Sequence, residues 1–248
     1  MMFLTSRFRP PASLGGHVLA FLPLVALLGL GGCQQVPQRE IVAPEPLAAP
    51  GPEVTADATH YRVSPELSDV RILAYRGGPL AKFGHSHVIS AGTVYGEVYL
   101  HEDFHRSRFK LTLPVKDFEA DPPAMLRDEG EEFASERSAE AIAGTTKNLL
   151  GPEILDAEQY PEVRIESVKL LGPEWGPDIT LAIELRGVTR QQTVPVAIEQ
   201  CDDELIATGV LTVVQSDFGI TPFSALGGGL QVQDALKLRF RIVAERAG

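Results

Sequence analysis

Between Arg108 and Phe118 the chain reads RFKLTLPVKDF, with Phe109, Leu111, Leu113 and Val115 interleaved by Lys110, Thr112 and Lys116. Successive side chains of a strand point to opposite faces, so this alternation dictates a strand with one dry face and one wet face. The pattern recurs along the chain. DITLAIELRG separates Ile179, Leu181, Ile183 and Leu185 from Thr180, Ala182, Glu184 and Arg186, and TVPVAIE turns Val194, Val196 and Ile198 one way. ALKLRFRIVAE sets Leu236, Leu238, Phe240 and Ile242 against Lys237, Arg239, Arg241 and Glu245. DVRILAYR, TVYGEVYL, EVRIESVKLL and ELIATGVLTVV bring the total to about eight strands. The connections, among them RGVTR, LGPEWGPD and QCDDE, are short and carry the Gly, Pro or Asp of tight turns. One-faced strands must bury their dry sides, against a second sheet or by closing on themselves, and closure also removes the edges. Eight strands is the size at which a closed barrel can hold one small or slender ligand.

The period of two fails once, in EEFASERSAEAIAGTTKNLLGPEILDAEQYP. Its spacing predicts a helix from Glu131 to Leu149, stopped by Gly151 and Pro152, with a further turn at Ile154 to Gln159. A helical insertion between strands is placed to cover one barrel mouth.

The N-terminus is not part of this pattern. MMFLTSRFRP carries Arg7 and Arg9 and no acid, and an apolar run from Val18 to Leu30 follows, ending in small residues, as in a secretory signal. The run is short for a membrane span and Pro23 interrupts it. LGGC, Leu30 to Cys33, resembles the lipobox of bacterial lipoproteins. That resemblance implies that Cys33 becomes the lipidated first residue of the mature chain, and Gln34 after it implies sorting to the outer membrane. Residues 1–32 therefore read as a signal peptide, residues 33–59 as the lipidated Cys with a Pro/Ala-rich tether, and residues 60–248 as the folded domain. Cys201, in the polar turn EQCDDE, is the only other cysteine. An exported domain without a disulfide relies on its core. The formal net charge of −11 and the absence of a basic stripe argue against nucleic acid as a partner.

Three stretches carry a family resemblance. ILDAEQYPEVRIESV places an acid and Tyr-Pro before a strand, LRGVTRQQTVPVAIE contains a G-V-T-R hairpin, and ATGVLTVVQSDFGITPFSALGGGLQVQDALKLRFRI has a D-F-G-I turn before a late strand that opens with Asp. Together they resemble the YceI-like polyisoprenoid-binding family over roughly residues 60–245. The resemblance implies an all-β, eight-stranded antiparallel lipocalin-like barrel, exported to the periplasm, that encloses a long isoprenoid chain or a similar amphiphile. Many family members carry a His early in the first hairpin, some residues before a Gly. His85 with Gly96 fits, although GHSH doubles the feature, and the helical insert from Met125 to Leu150 is longer than usual.

KFGHSHVIS raises the question of chemistry. If Lys82 to Ile89 is extended, Phe83, His85 and His87 share one face. A hairpin turning near Ala91 and Gly92 would bring Tyr95 and Glu97 opposite them. The two imidazoles can hydrogen-bond within the protein, hold the polar head of a ligand with Tyr95, or bind a metal with Glu97 as third ligand. No nucleophile elbow, C-x-x-C, HExxH or phosphate loop accompanies them, so a binding function is expected and not an enzymatic one. Under that reading Phe109, Leu111, Leu113, Leu181, Ile183, Val196, Leu238 and Phe240 line an apolar lumen, and Phe218 of the DFG turn packs inward. No cofactor is expected beyond a bound isoprenoid or quinone-like lipid.

Overall fold

The computed structural model describes residues 57–248. The signal peptide, Cys33 and nearly all of the tether lie outside the described residues. The strands are β1 (Ala58–Val63), β2 (Asp69–Ala74), β3 (Arg76–Gly77), β4 (His87–Ser90), β5 (Tyr95–His101), β6 (Arg108–Pro114), β7 (Glu119–Ala120), β8 (Glu162–Leu171), β9 (Asp178–Leu185), β10 (Val188–Cys201), β11 (Glu204–Val214), β12 (Ser224–Ala225), β13 (Leu230–Val232) and β14 (Ala235–Arg246). Two helices, α1 (Pro123–Asp128) and α2 (Ala139–Leu150), lie between β7 and β8.

Eleven strands make one antiparallel sheet in the order β1-β5-β6-β8-β9-β10-β11-β14-β2-β4-β7, and the additional pairing of β1 with β14 closes it. Geometrically the barrel has eight strands. β1 and β2 are halves of one, β4 and β5 of the next, and β6 and β7 of the third: β2 pairs with β4 as β1 does with β5, and β4 with β7 as β5 does with β6. The five strands β8, β9, β10, β11 and β14 complete the lipocalin-like barrel. β12, β13 and β3 form a separate small sheet.

Local chemistry explains the turns. Arg186 and Gly187, between β9 and β10, have φ of 50° and 69°. Positive φ at both central residues makes the two-residue turn whose twist matches antiparallel strands. At Gly209 on β11 a Cβ would come within 2.5 Å of the Phe240 ring, so only glycine lets that ring lie against the wall.

The structure departs from the sequence reading in four places. β1 was not anticipated, because ATHYRV offers only Tyr61 and Val63 as buried apolar residues. The expected hairpin at Ala91–Gly92 is instead a bend within one barrel strand, since β4 and β5 run on in the same position. Gly92 sits there at φ 63°, and any Cβ would come 2.2 Å from the Asp117 carbonyl. The expected helix from Glu131 begins only at Ala139, where Ser138 caps it by accepting from the Ala141 amide at 3.2 Å. Phe133 is drawn out of any helix into a satellite core with Leu73, Val88 and Leu126. The turn expected at Ile154–Gln159 is a run of non-helical turns that sends Ile154 and Leu155 into the main core.

Candidate functional site

The inward rows of the barrel do not meet. They surround a cavity of about 340 Å³. That is roughly twenty-five times the space one water needs on the same measure. Among the described residues 44 line it, and of these only His87, Ser107, Arg108, Thr145, Asn148 and Gln215 carry polar side chains. The rest are apolar, and medium-sized aliphatic residues dominate. Rows of this kind line the wall without filling the interior.

The polar lining groups fall at the two ends. Ser107 and Arg108 sit where β6 begins. The Arg108 Nη1 donates to the carbonyls of Ser107 at 2.6 Å and His105 at 3.3 Å. Burial, and then the neighbouring Arg106, push the Arg108 guanidinium below its ordinary value. At the other end lie His87 at the start of β4, Gln215 just past β11, and Thr145 and Asn148 on α2. Among the described residues, Asn148 and Phe223 are the only lining residues that are also exposed, and both belong to this second end. The lumen therefore opens between α2 and the loop carrying Phe223.

A buried polar network fastens that end. His87 Nδ1 lies 2.7 Å from Asp121 Oδ2, and the Val88 amide donates to Asp121 Oδ1 at 3.1 Å. A carboxylate can only accept, so Nδ1 carries the proton, and Nε2 is the ring nitrogen left over for another partner. Arg137 Nε pairs with the same carboxylate at 3.2 Å, and its Nη2 donates to the Ser86 carbonyl at 2.6 Å. Asp121 is 0% exposed and Arg137 5%. Ser86 donates to Glu132 at 2.6 Å, and Glu132 pairs with Arg76 at 3.2 Å. These contacts tie the segment leading into α2 onto β4.

The structure places the expected site residues in three groups. His87, Phe109, Leu111, Leu113, Leu181, Ile183, Val196, Leu238 and Phe240 line the lumen. Phe218 is buried in the core next to it without reaching the cavity. Phe83, His85 and Tyr95 lie outside. Ala81–Phe83 is a 3-10 turn and the strand starts only at His87, so Phe83 and His85 do not share its face and are exposed. The Ser135 hydroxyl lies 3.2 Å from His85 Nδ1, and burial together with the positive charge of Arg137 lowers that imidazole's pKa. Val94 and Val98 point inward, so Tyr95 points out. Glu97 is on the outer face too, bonded to His60 and paired with Arg62 at 3.5 Å. The metal set of His85, His87 and Glu97 is thus not assembled, and the described residues contain no group of three or more His, Cys, Asp or Glu that could hold a metal.

Sequence reasoning missed Asp121, Arg137, Gln215, Asn148 and Phe223. Each stands in a polar or turn-like stretch, and nothing local distinguishes a buried acid such as Asp121 from a solvated one.

The fold has counterparts among solved structures. BcnA of Burkholderia cenocepacia matches with a TM-score of 0.55 at 16% identity, over 73% of this chain and 98% of that one. A polyisoprenoid binding domain from Saccharophagus degradans, implicated in plant cell wall breakdown, matches with a TM-score of 0.50 at 9% identity, over 75% and 98%. At such identities the likeness bears on the fold alone. No curated protein matches the chain. The family model of the YceI-like domain, however, matches residues 55–244, from just before β1 to near the end of β14. A closed eight-stranded barrel matched by that model along almost its whole length is a member of the YceI-like domain family.

Proposed function

We propose that this protein is a non-catalytic carrier or store that holds a long-chain isoprenoid, or a similar amphipathic lipid, in the barrel lumen. The observation that carries the reading is the lumen itself: 340 Å³ walled almost wholly by apolar side chains. Water gains little from such a wall, whereas each methylene moved into it contributes about 0.8 kcal/mol. A chain of several isoprene units then binds tightly with few polar contacts. The head group sits at the open end, where Asn148, Gln215 and the free Nε2 of His87 meet it. A hydroxyl donating to Nε2, or a quinone carbonyl accepting from Asn148 or Gln215, suits this set. The fold match to a domain named for binding a polyisoprenoid agrees with this reading. Organic extraction of natively produced protein, followed by mass spectrometry, is expected to yield a long-chain isoprenoid. An empty extract would count decisively against the proposal.

The same protein is proposed to be a lipoprotein of the envelope, anchored through Cys33 and facing the periplasm, at the outer membrane. The Pro/Ala-rich composition of the residues after Cys33 is that of a tether. Cys33→Ser is expected to move the protein from the membrane fraction to the soluble fraction and to abolish incorporation of labelled fatty acid, while its extractable isoprenoid is retained. A serine variant that stays acylated would remove the anchor from this picture.

A further inference from the structure

The mouth of the lumen adjoins a lobe with an unusual surface. β3, β13 and β12 form its small sheet, and the Leu80 amide donates to the Gly229 carbonyl at 2.8 Å. The Val232 amide donates to the Phe223 carbonyl at 2.9 Å, so the residue at the mouth is held in the same unit. Two 3-10 turns, Ala81–Phe83 and Leu226–Gly228, belong to it. Leu80, Phe83, Phe223 and Leu226 are all exposed there, Phe83 at 67% and Leu226 at 74%.

The charges point the same way. The chain carries 33 Asp and Glu, yet Phe218 to Gln233 contains no charged residue, and Arg76 to Gly84 contains only Lys82 and Arg76, the latter paired with Glu132 at 3.2 Å. Lys82 Nζ lies 4.9 Å above the Phe83 ring. On an acidic protein this is the face an anionic bilayer surface does not repel. Exposed apolar side chains on turns beside a cation are also what an interfacial anchor presents. Phe223 belongs both to this exposed set and to the lumen wall, which a protein partner would not explain.

We propose that this lobe is a membrane-docking tip that seats the open end of the barrel on a lipid bilayer, so that an apolar chain passes between bilayer and lumen without crossing water. The inference rests on the lumen being a lipid site. It also sets the order of loading: the tail goes in first and the head stays near His87.

Trp175, the only tryptophan, supplies the control. It is exposed in the β8–β9 connection, at the barrel end opposite the Arg186 turn and the mouth. The full chain would be compared as wild type and as Phe83→Trp/Trp175→Phe on vesicles of phosphatidylethanolamine and phosphatidylglycerol with brominated acyl chains. Any N-terminal anchoring is common to both. The tryptophan at position 83 is expected to lose most of its emission and shift to the blue, while that of wild type is unchanged. Quenching of Trp175, or of neither, overturns the docking tip. A second arm loads a fluorescent farnesyl alcohol analogue into Phe83→Glu/Leu226→Glu. Loading from vesicles is expected to slow by about tenfold or more, because carboxylates are costly at a bilayer, with loading from detergent micelles unchanged. Equal vesicle loading overturns the docking tip alone. Failure of micelle loading in wild type overturns the lumen reading and the docking tip together.

Discussion

Leu238→Trp combined with Ile183→Trp is expected to empty the protein of lipid without unfolding it. Both side chains face the lumen, Leu238 on β14 and Ile183 on β9, three strands apart in the sheet. In a packed core such enlargement costs about 1–3 kcal/mol. Here the added rings enter free space, so the thermal midpoint stays near that of wild type. The ligand loses what the rings occupy. Displacing four methylenes forfeits about 3 kcal/mol, more than a hundredfold in affinity. Extraction of equal amounts of the two proteins, with melting curves alongside, reads both effects. A double variant that folds normally and retains its full complement of isoprenoid would show that the lumen is not the binding site.

The second large effect lies at Asp121. Its carboxylate is fully buried and meets His87, Arg137 and the Val88 amide at once. Asp121→Ala leaves the Arg137 guanidinium buried without its anion and the amide without its acceptor. Removal of one partner from a buried ion pair costs about 3–5 kcal/mol. The backbone adds to this, because Asp121 has φ of 56°, a left-handed conformation that Asp and Asn tolerate better than Ala. Asp121→Asn keeps the backbone preference and an acceptor for Val88, and is expected to lose less. Urea titration measures both, provided the slope is unchanged. Hydrogen exchange in residues 122–150 should rise in the alanine variant, since the latch that holds this insertion on β4 is gone. An alanine variant within about 1 kcal/mol of wild type would mean that the network does not fasten the insertion.

How much of this was legible in the chain can be judged residue by residue. The rows Phe109–Leu111–Leu113 and Leu238–Phe240 announce themselves because strand geometry converts a period of two directly into a face. The turn at Arg186–Gly187 is equally plain, since the glycine and the strand lengths on either side define it. His87 and His85 look equivalent in GHSH, and the structure separates them: a 3-10 turn ends just before, so only His87 enters the strand. Tyr95 was misplaced for a different reason. Its orientation depends on β5 continuing β4 rather than folding back on it, and that depends on the close approach of Asp117 to Gly92.

Alternation, turn residues and spacing are properties of neighbours along the chain, so they alone determined the strands, their inward rows and the all-β class. Pairing across distant segments decided the rest. Closure through β1 and β14 made the rows into a lumen and not one face of a sandwich. The burial of Asp121 beside Arg137 made one imidazole of two a wall residue. The meeting of residues 77–84 with residues 219–232 made an apolar tip at the mouth. None of these can be read locally, because each depends on which surfaces are excluded from water after the chain has folded, and exclusion is a property of the whole packed molecule.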